Sequence, residues 1–380
     1  MKIAVNTRFL LAGRLEGIGK FTLETLRRMV ANHPEHEFYF LFDRPFDKQF
    51  VFGPNVIPIV LSPPARHPFL FYIWFEFSVA RALKKIQPDV FLSTDGLTTL
   101  STDVPCVTVI HDLAFEHYPK DLGLLVRKYL QHFTPKFAKA SERIVAVSEF
   151  TKQDLIKTYG VPAGKIDVVY NDASDNFQPA TEAEQEATKQ KFSKGQPFFI
   201  FVGALHPRKN LVNLYKAFDK FKKQTRCEAK LLIVGRKAWK AGEISETFRQ
   251  LEFQDDVICT GRVSDEDLRL LYGTALANVY VPTLEGFGIP IVEAQKCECP
   301  VIASNVSSMP EVAGDAALLV DPFNVNEIAG AMQDIWKDQG LRISLAYLGR
   351  KNLQRFSWDK SAEKLCESLT KAVQSASKLA

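Results

Sequence analysis

The chain has 380 residues, 46% of them hydrophobic, with 48 Lys+Arg against 44 Asp+Glu and a net charge of +4. That length predicts two or three domains rather than one. The charge favours neither half, with 21 basic against 19 acidic residues through Asp175 and 27 against 25 after it, whereas a dedicated nucleic-acid binder concentrates its positive charge. The six cysteines form no C-x-x-C and have no histidine at metal-ligand spacing, so they predict packing thiols in a reducing cytosol. The 29 phenylalanines predict an aromatic core, or some aromatics facing an apolar acceptor.

The N-terminus opens directly on a strand, Lys2–Asn6, too short for a signal h-region, and no apolar run reaches transmembrane length. Strands follow at Glu37–Phe42, Val90–Ser93, Cys106–Ile110, Arg143–Ala146 and Ile166–Val169. Helical patterns lie between them at Phe21–Ala31, Phe71–Ile86, Leu124–Ala140 and Glu149–Tyr159. This alternation predicts βαβ units and a parallel sheet. Phe71–Ile86 reads as an amphipathic helix, suited to a core or to a membrane surface.

A polar, charged stretch from Ala180 to Gly195 predicts the domain junction. The alternation then restarts, with strands at Phe198–Val202, Lys230–Val234, Val257–Thr260, Ala277–Val281 and Val301–Ser304. Helices are expected at Leu211–Lys223, Asp265–Tyr272, Pro290–Lys296, Asn326–Lys337, Gly340–Phe356 and Trp358–Ser375. The expected domains are therefore 1–178, joined by the closing helix 358–380, and 196–357. Two such α/β units predict a cleft with ligands at the carboxyl ends of the strands.

The densest functional signal is Val281-Pro282-Thr283-Leu284-Glu285-Gly286-Phe287-Gly288-Ile289-Pro290-Ile291-Val292-Glu293-Ala294. A strand ends, a loop with two glycines follows, and Pro290 opens a helix, where its missing N–H costs nothing. Such a helix start offers unpaired N–H groups and a positive dipole end to a phosphate. Glu285 and Glu293 edge the same cradle, and a carboxylate suits vicinal sugar hydroxyls. Glutamate near a first helical turn is also favourable without any ligand. In Phe201-Val202-Gly203-Ala204-Leu205-His206-Pro207-Arg208-Lys209-Asn210, Arg208 and Lys209 can neutralise a diphosphate, or can form a plain solvated turn.

On these stretches, with VICTGRVSDEDLRLLY and SSMPEVAGDAALLVDP, residues 198–322 resemble the C-terminal domain of glycosyltransferase family 4, retaining enzymes of the GT-B fold. The resemblance implies two Rossmann-like domains with a C-terminal helix crossing back to the first. Its E-x7-E motif falls on Glu285 and Glu293, which implies contact with the donor sugar and the nucleotide ribose respectively. It implies Arg208 and Lys209 at the diphosphate and Arg262 and Val263 against the base. The backbone of Gly203, Gly286, Phe287, Gly288 and Ile289 would line the donor. Two departures stand out: Ala204 replaces an arginine common in the family, and Glu298 replaces the glycine of the turn after the second glutamate.

The first half resembles the family more loosely. Glu16-Gly17-Ile18-Gly19-Lys20-Phe21 matches the N-terminal glycine loop, which implies that Gly17 and Gly19 face the phosphates or acceptor. His111, after the strand ending at Ile110, implies a side chain approaching the transferred sugar. Asp112 reads as a turn orienter, Ser148 as a helix N-cap and Trp358 as a packing residue.

The expectation is a retaining hexosyltransferase with catalytic His111, Glu285, Arg208 and Lys209. It would move a hexose from a nucleotide-diphosphate sugar, GDP-mannose before a UDP-sugar, to a glycan or lipid-linked acceptor. No cofactor or metal is expected, because no D-x-D cluster ends a strand and Asp265-Glu266-Asp267 reads as a helix start. A cytoplasmic location, with peripheral contact at the inner face of the membrane, is compatible with this reading, and nucleic acid is not. The alternatives are a GT-B sugar-nucleotide epimerase and a non-catalytic nucleotide-sugar-binding protein. A nicotinamide enzyme is disfavoured because Val5–Gly19 lacks G-x-G-x-x-G.

Overall fold

A computed structural model describes residues 1–236 and 242–377. Residues 378–380, which the sequence reading places with the closing helix, lie outside the described residues. The chain divides into two compact units, Met1–Asn171 with Ser357–Ala380, and Asp172–Phe356. Among the described residues, thirteen strands form two wholly parallel sheets. No described helix is long and apolar enough to cross a membrane.

The first unit holds β1 (Lys2–Asn6), β2 (Glu37–Phe42), β3 (Val56–Val60), β4 (Val90–Ser93), β5 (Cys106–Ile110), β6 (Arg143–Ala146) and β7 (Ile166–Val168), in spatial order β3-β2-β1-β4-β5-β6-β7. Strand order reverses between β1 and β4, so a crevice opens at their carboxyl ends. β3 was not read from the sequence. It is an edge strand carrying Pro58, whose ring removes a donor that an edge position does not need. Phe21, Phe38, Phe75, Phe91 and Phe137 are fully buried, so these phenylalanines belong to the core.

The helices of this unit include α1 (Gly17–Asn32), α2 (residues 68–86), α3 (Leu124–Ala140) and α4 (Glu149–Tyr159). α2 starts three residues earlier than the pattern suggests, with Pro68 in its first turn, and its middle third, Trp74–Val79, is a π turn. Ser148 caps α4, accepting from Thr151 N at 3.0 Å. The closing helix Trp358–Ser377 packs on α1. Trp358 is buried against Phe21, and Ser361 Oγ donates to the Tyr170 carbonyl at 2.6 Å. Trp358 is thus a packing residue.

The second unit holds β8 (Phe198–Val202), β9 (Lys230–Val234), β10 (Val257–Gly261), β11 (Asn278–Tyr280), β12 (Val301–Ser304) and β13 (Leu318–Val320), in order β10-β9-β8-β11-β12-β13. The reversal lies between β8 and β11, whose register pairs Ile200 with Asn278. The stretch 180–195 contains a helix, Glu182–Ser193, opened by a full capping box between Thr181 and Glu184. Arg269 holds this helix to the second unit through Glu184 at 2.7 Å, and Lys296 Nζ holds Asp172 at 3.1 Å. The unit therefore begins at Asp172, ahead of the charged stretch itself.

Candidate active site

In the second unit both sequence clusters lie at the strand-order reversal. After β8 the chain passes Gly203 and a 3-10 turn, Pro207–Lys209, into the helix Leu211–Thr225. After β11 it runs through Glu285 to Gly288 and into the helix Ile289–Lys296, with Pro290 its second residue. The two loops are sewn together: Thr283 N donates to the Arg208 carbonyl at 2.9 Å. Asn210, in the left-handed region at φ 62°, donates to the carbonyls of Val281 (3.0 Å) and Pro322 (2.7 Å). Asparagine tolerates that conformation better than most residues, and this was a signal left unused in the sequence.

The geometry converges on Glu285. Its Oε1 lies 2.8 Å from Lys209 Nζ and 3.2 Å from Arg208 NH1. Lys209 also donates to the Tyr280 hydroxyl at 2.6 Å and lies over that ring. Burial would lower the Lys209 pKa, but the Glu285 carboxylate and the Tyr280 hydroxyl together outweigh it and the pKa stands above its ordinary value. Lys209 is therefore a firmly held cation. Burial, reinforced by Glu285, pushes the Tyr280 phenol up to about 12, so it stays neutral. Ser308 Oγ lies 2.8 Å from the Glu285 carbonyl and 3.0 Å from that of Phe287, one donor shared between two acceptors, and so fixes the glycine loop. A Cβ on Gly288, at φ 98°, would lie 2.6 Å from Met309 Cε. Only glycine fits there comfortably.

Glu293 lies one turn inside the same helix and is buried, but its contact differs. The Tyr272 hydroxyl donates to Oε2 at 3.2 Å. Burial, with the Glu293 carboxylate next, raises the Tyr272 pKa well above its ordinary value, so the proton stays on the phenol. Glu285 sits in the loop and Glu293 in the helix that follows it. Arg262 and Val263 follow Gly261 at the end of β10, Arg262 exposed and Val263 half-buried. Asp265–Asp267 open the helix Asp265–Thr274 behind the cap Ser264. Cys297 and Cys299 are buried, and burial pushes the Cys297 thiol up to about 12.

Glycines end three neighbouring strands here. Gly203 N donates to the Val234 carbonyl and Gly235 N to that of Gly261, both at 2.9 Å. Gly235, Tyr272, Tyr280, Asn210 and Ser308 were not assigned a site role from the sequence. Of these, Asn210 and Gly235 carried a local signal, the latter as a glycine directly after a strand.

In the first unit, the crevice between β1 and β4 holds an ion pair. Arg8 Nε donates to Asp95 Oδ2, both side chains buried, and the guanidinium lies over the rings of Phe9, Phe71 and Phe75. His111, after β5, bonds the Thr94 carbonyl through Nε2 at 2.8 Å and meets Phe21 edge to face. A carbonyl only accepts, so Nε2 carries the proton and Nδ1 is the basic atom. Burial lowers the His111 pKa, against opposing pulls from the Thr94 carbonyl, Asp112 and Asp95. Asp112 accepts from Ala114 N at 3.0 Å and orients the turn. Gly17 opens α1. A Cβ on Gly19 would fall 2.8 Å from the Phe9 carbonyl oxygen, so that glycine lets the loop close on the helix.

Chemically, the second unit offers two fixed cations, a helix start and two carboxylates, a set suited to a diphosphate flanked by hydroxylated rings. Comparison with known proteins gives the family. Residues 182–352 match the family model described as Glycosyl transferases group 1, and residues 15–171 match Glycosyltransferase Family 4. The chain is 31% identical over 258 residues to O-antigen chain mannosyltransferase B of Escherichia coli, covering 67% of each chain. It is 28% identical over 283 residues to O-antigen chain mannosyltransferase RfbU of Salmonella typhimurium, covering 74% of this chain and 75% of that one. Among solved structures it resembles WaaG, a glycosyltransferase involved in lipopolysaccharide biosynthesis (TM-score 0.77, 16% identity, 97% and 99% of the two chains). It also resembles Anabaena Alr3699/HepE in complex with UDP and glucose (TM-score 0.75, 17% identity, 97% and 99%). At these identities the structural likeness bears on the fold, which is GT-B.

Proposed function

Because the chain belongs to the group 1 and family 4 glycosyltransferases, we propose that it transfers mannose, with retention, from GDP-mannose to a glycan or lipid-linked acceptor. The enzyme is of the hexosyl-transferring type. Mannose is favoured over glucose by the two O-antigen mannosyltransferases above. A UDP-sugar is the competing donor, since Alr3699/HepE is complexed with UDP and glucose.

The observation that carries the donor site is the Glu285 oxygen shared by Lys209 and Arg208 at the strand-order reversal. A bound diphosphate would draw the two cations toward its own oxygens and leave the Glu285 carboxylate to accept from sugar hydroxyls. Arg208 in this geometry takes the place of the arginine absent at Ala204. Gly203, Gly286, Phe287, Gly288 and Ile289 line the phosphates, Glu293 takes the ribose, and Arg262 and Val263 flank the base. As the sugar–phosphate bond breaks, the electron pair stays on the leaving diphosphate. Lys209, Arg208 and the helix start stabilise that growing charge in a site that need not reorganise. The acceptor oxygen forms the new bond on the same face of the sugar, and its proton passes to the leaving phosphate. In the first unit, Gly17 and Gly19 offer backbone to the phosphates or acceptor, and His111 Nδ1 approaches the transferred sugar. The two cations and the helix start neutralise the diphosphate, so no metal is required.

Thermal-shift screening against GDP-, UDP- and ADP-sugars, followed by a product assay, tests this reading. A ligand that binds only the folded state raises the melting temperature. GDP-mannose is expected to give the largest shift and a transferred mannose. A shift with UDP-sugars alone would replace the donor, and no shift with any would remove the site.

A further inference from the structure

Six of the large hydrophobic side chains exposed in the first unit are Phe69, Tyr72, Phe77, Leu100, Leu124 and Leu125, between 39% and 66% accessible. They come from α2, α3 and the loop bonded to α2. Tyr72 and Phe77 are five residues apart yet touch ring to ring, with centroids 6.1 Å apart. In an ordinary α-helix such residues do not face each other. The π turn of α2, with its i→i+5 bonding, brings them to one face. Tyr72 also meets Phe133 of α3 at 5.8 Å, so the two helices share one aromatic edge.

The charge on these two helical segments is one-sided. Residues 66–86 and 124–140 carry eight Lys and Arg and a single carboxylate, Glu76, in a chain whose total is only +4. Glu76 is tied down by Leu100 N at 3.0 Å and Ser101 Oγ at 2.7 Å. Arg66, Arg81, Lys84, Lys85, Lys128 and Lys136 are exposed. Along α3, Leu124, Lys128, His132 and Lys136 follow at one-turn spacing and are all exposed. The inner face of α2 is core: Trp74, Phe75 and Val79 are fully buried.

From this arrangement we infer that the outer face of α2 and α3 docks on an anionic lipid bilayer. The aromatic and leucine side chains enter the headgroup boundary and the lysines and arginines meet lipid phosphates. Clustered exposed apolar side chains mark an interaction surface, and the basic rim of this one selects a negatively charged partner. The inference does not depend on the donor site, and its test uses neither nucleotide nor acceptor.

The experiment is flotation of the full-length protein with phosphatidylcholine vesicles, with and without about 30 mol% phosphatidylglycerol. Binding to the anionic vesicles is expected to exceed binding to the neutral ones by at least ~10-fold and to weaken with added salt. Phe69→Ser/Phe77→Ser and, separately, Lys84→Glu/Lys85→Glu should each lose ~10-fold or more, with unchanged far-UV circular dichroism and melting temperature. Equal binding to both vesicle types, or full binding by both variants, would overturn the inference. So would a dimer in solution that Phe69→Ser/Phe77→Ser dissolves, because the face would then cover a second copy of the chain.

Discussion

A Cβ placed on Gly235 would lie 1.9 Å from the carbonyl oxygen of Gly203. The two glycines end neighbouring strands, and Gly235 has φ 153°, where side chains are strained. The obstacle is backbone, which cannot swing aside as a side chain can. Gly203 begins the loop that carries Arg208 and Lys209. Gly235→Ala is therefore expected to cost about 2–3 kcal/mol of stability and to weaken donor binding by displacing that loop. Thermal denaturation and nucleotide titration of the variant check both parts.

Lys209→Ala removes the cation 2.8 Å from Glu285, and Glu293→Ala removes the acceptor of the Tyr272 hydroxyl. Both are expected to weaken GDP-mannose binding and reduce transfer, Lys209→Ala by about 100-fold in kcat. Calorimetric titration and product formation measure these effects. Unchanged affinity and turnover in both variants would remove the donor assignment. Transfer by the unmodified enzyme should persist in EDTA; its abolition would show that the two cations do not suffice.

His111 has a pKa held below the ordinary histidine value by burial, and that ordinary value is about 6.5. The ring is therefore neutral at pH 7, and transfer should be level from pH 7 to 8. As pH falls below about 6.5 the unfolded chain gains a proton before the folded one does. Stability should decline from there down to the lower, folded pKa and then level off. His111→Gln should flatten that part of the profile in pH-resolved thermal denaturation, and acid-side activity loss should appear only below about pH 6.5.

Glu298 has φ 57°. It follows the helix Ile289–Lys296 and its cap Cys297. The bonds Glu298 N to Gln295 O (3.0 Å) and Cys299 N to Ala294 O (2.9 Å) form the left-handed helix ending that glycine serves best. Its ion pair with Arg350, 3.3 Å on the surface, offsets little. Glu298→Gly is expected to stabilise the protein by about 1 kcal/mol without changing donor affinity. A melting curve beside a nucleotide titration decides it.

Strand and helix order was legible in the sequence where apolar runs were uninterrupted, as in β8 and β9, or where apolar residues recurred at helical spacing, as in α3. Pro58 hid β3, and the capping box of Thr181 and Glu184 was masked by the surrounding charge. Glu285, Glu293, Arg208 and Lys209 stood out because a strand, a glycine loop and a helix start are local patterns. The family membership followed from the same local patterns.

Which groups actually meet was decided by tertiary structure. That Lys209 and Arg208 share one Glu285 oxygen depends on β8 and β11 lying side by side, although some 75 residues separate them in the chain. The Tyr272–Glu293 bond, the Arg8–Asp95 pair and the closeness of Gly235 to Gly203 likewise join residues from different βα units. Local propensity and period fix where an element begins and which face is apolar. They carry no information on which strand ends become neighbours, because that depends on sheet order. The glutamates and cations were therefore visible from the start, and only the fold made them one site.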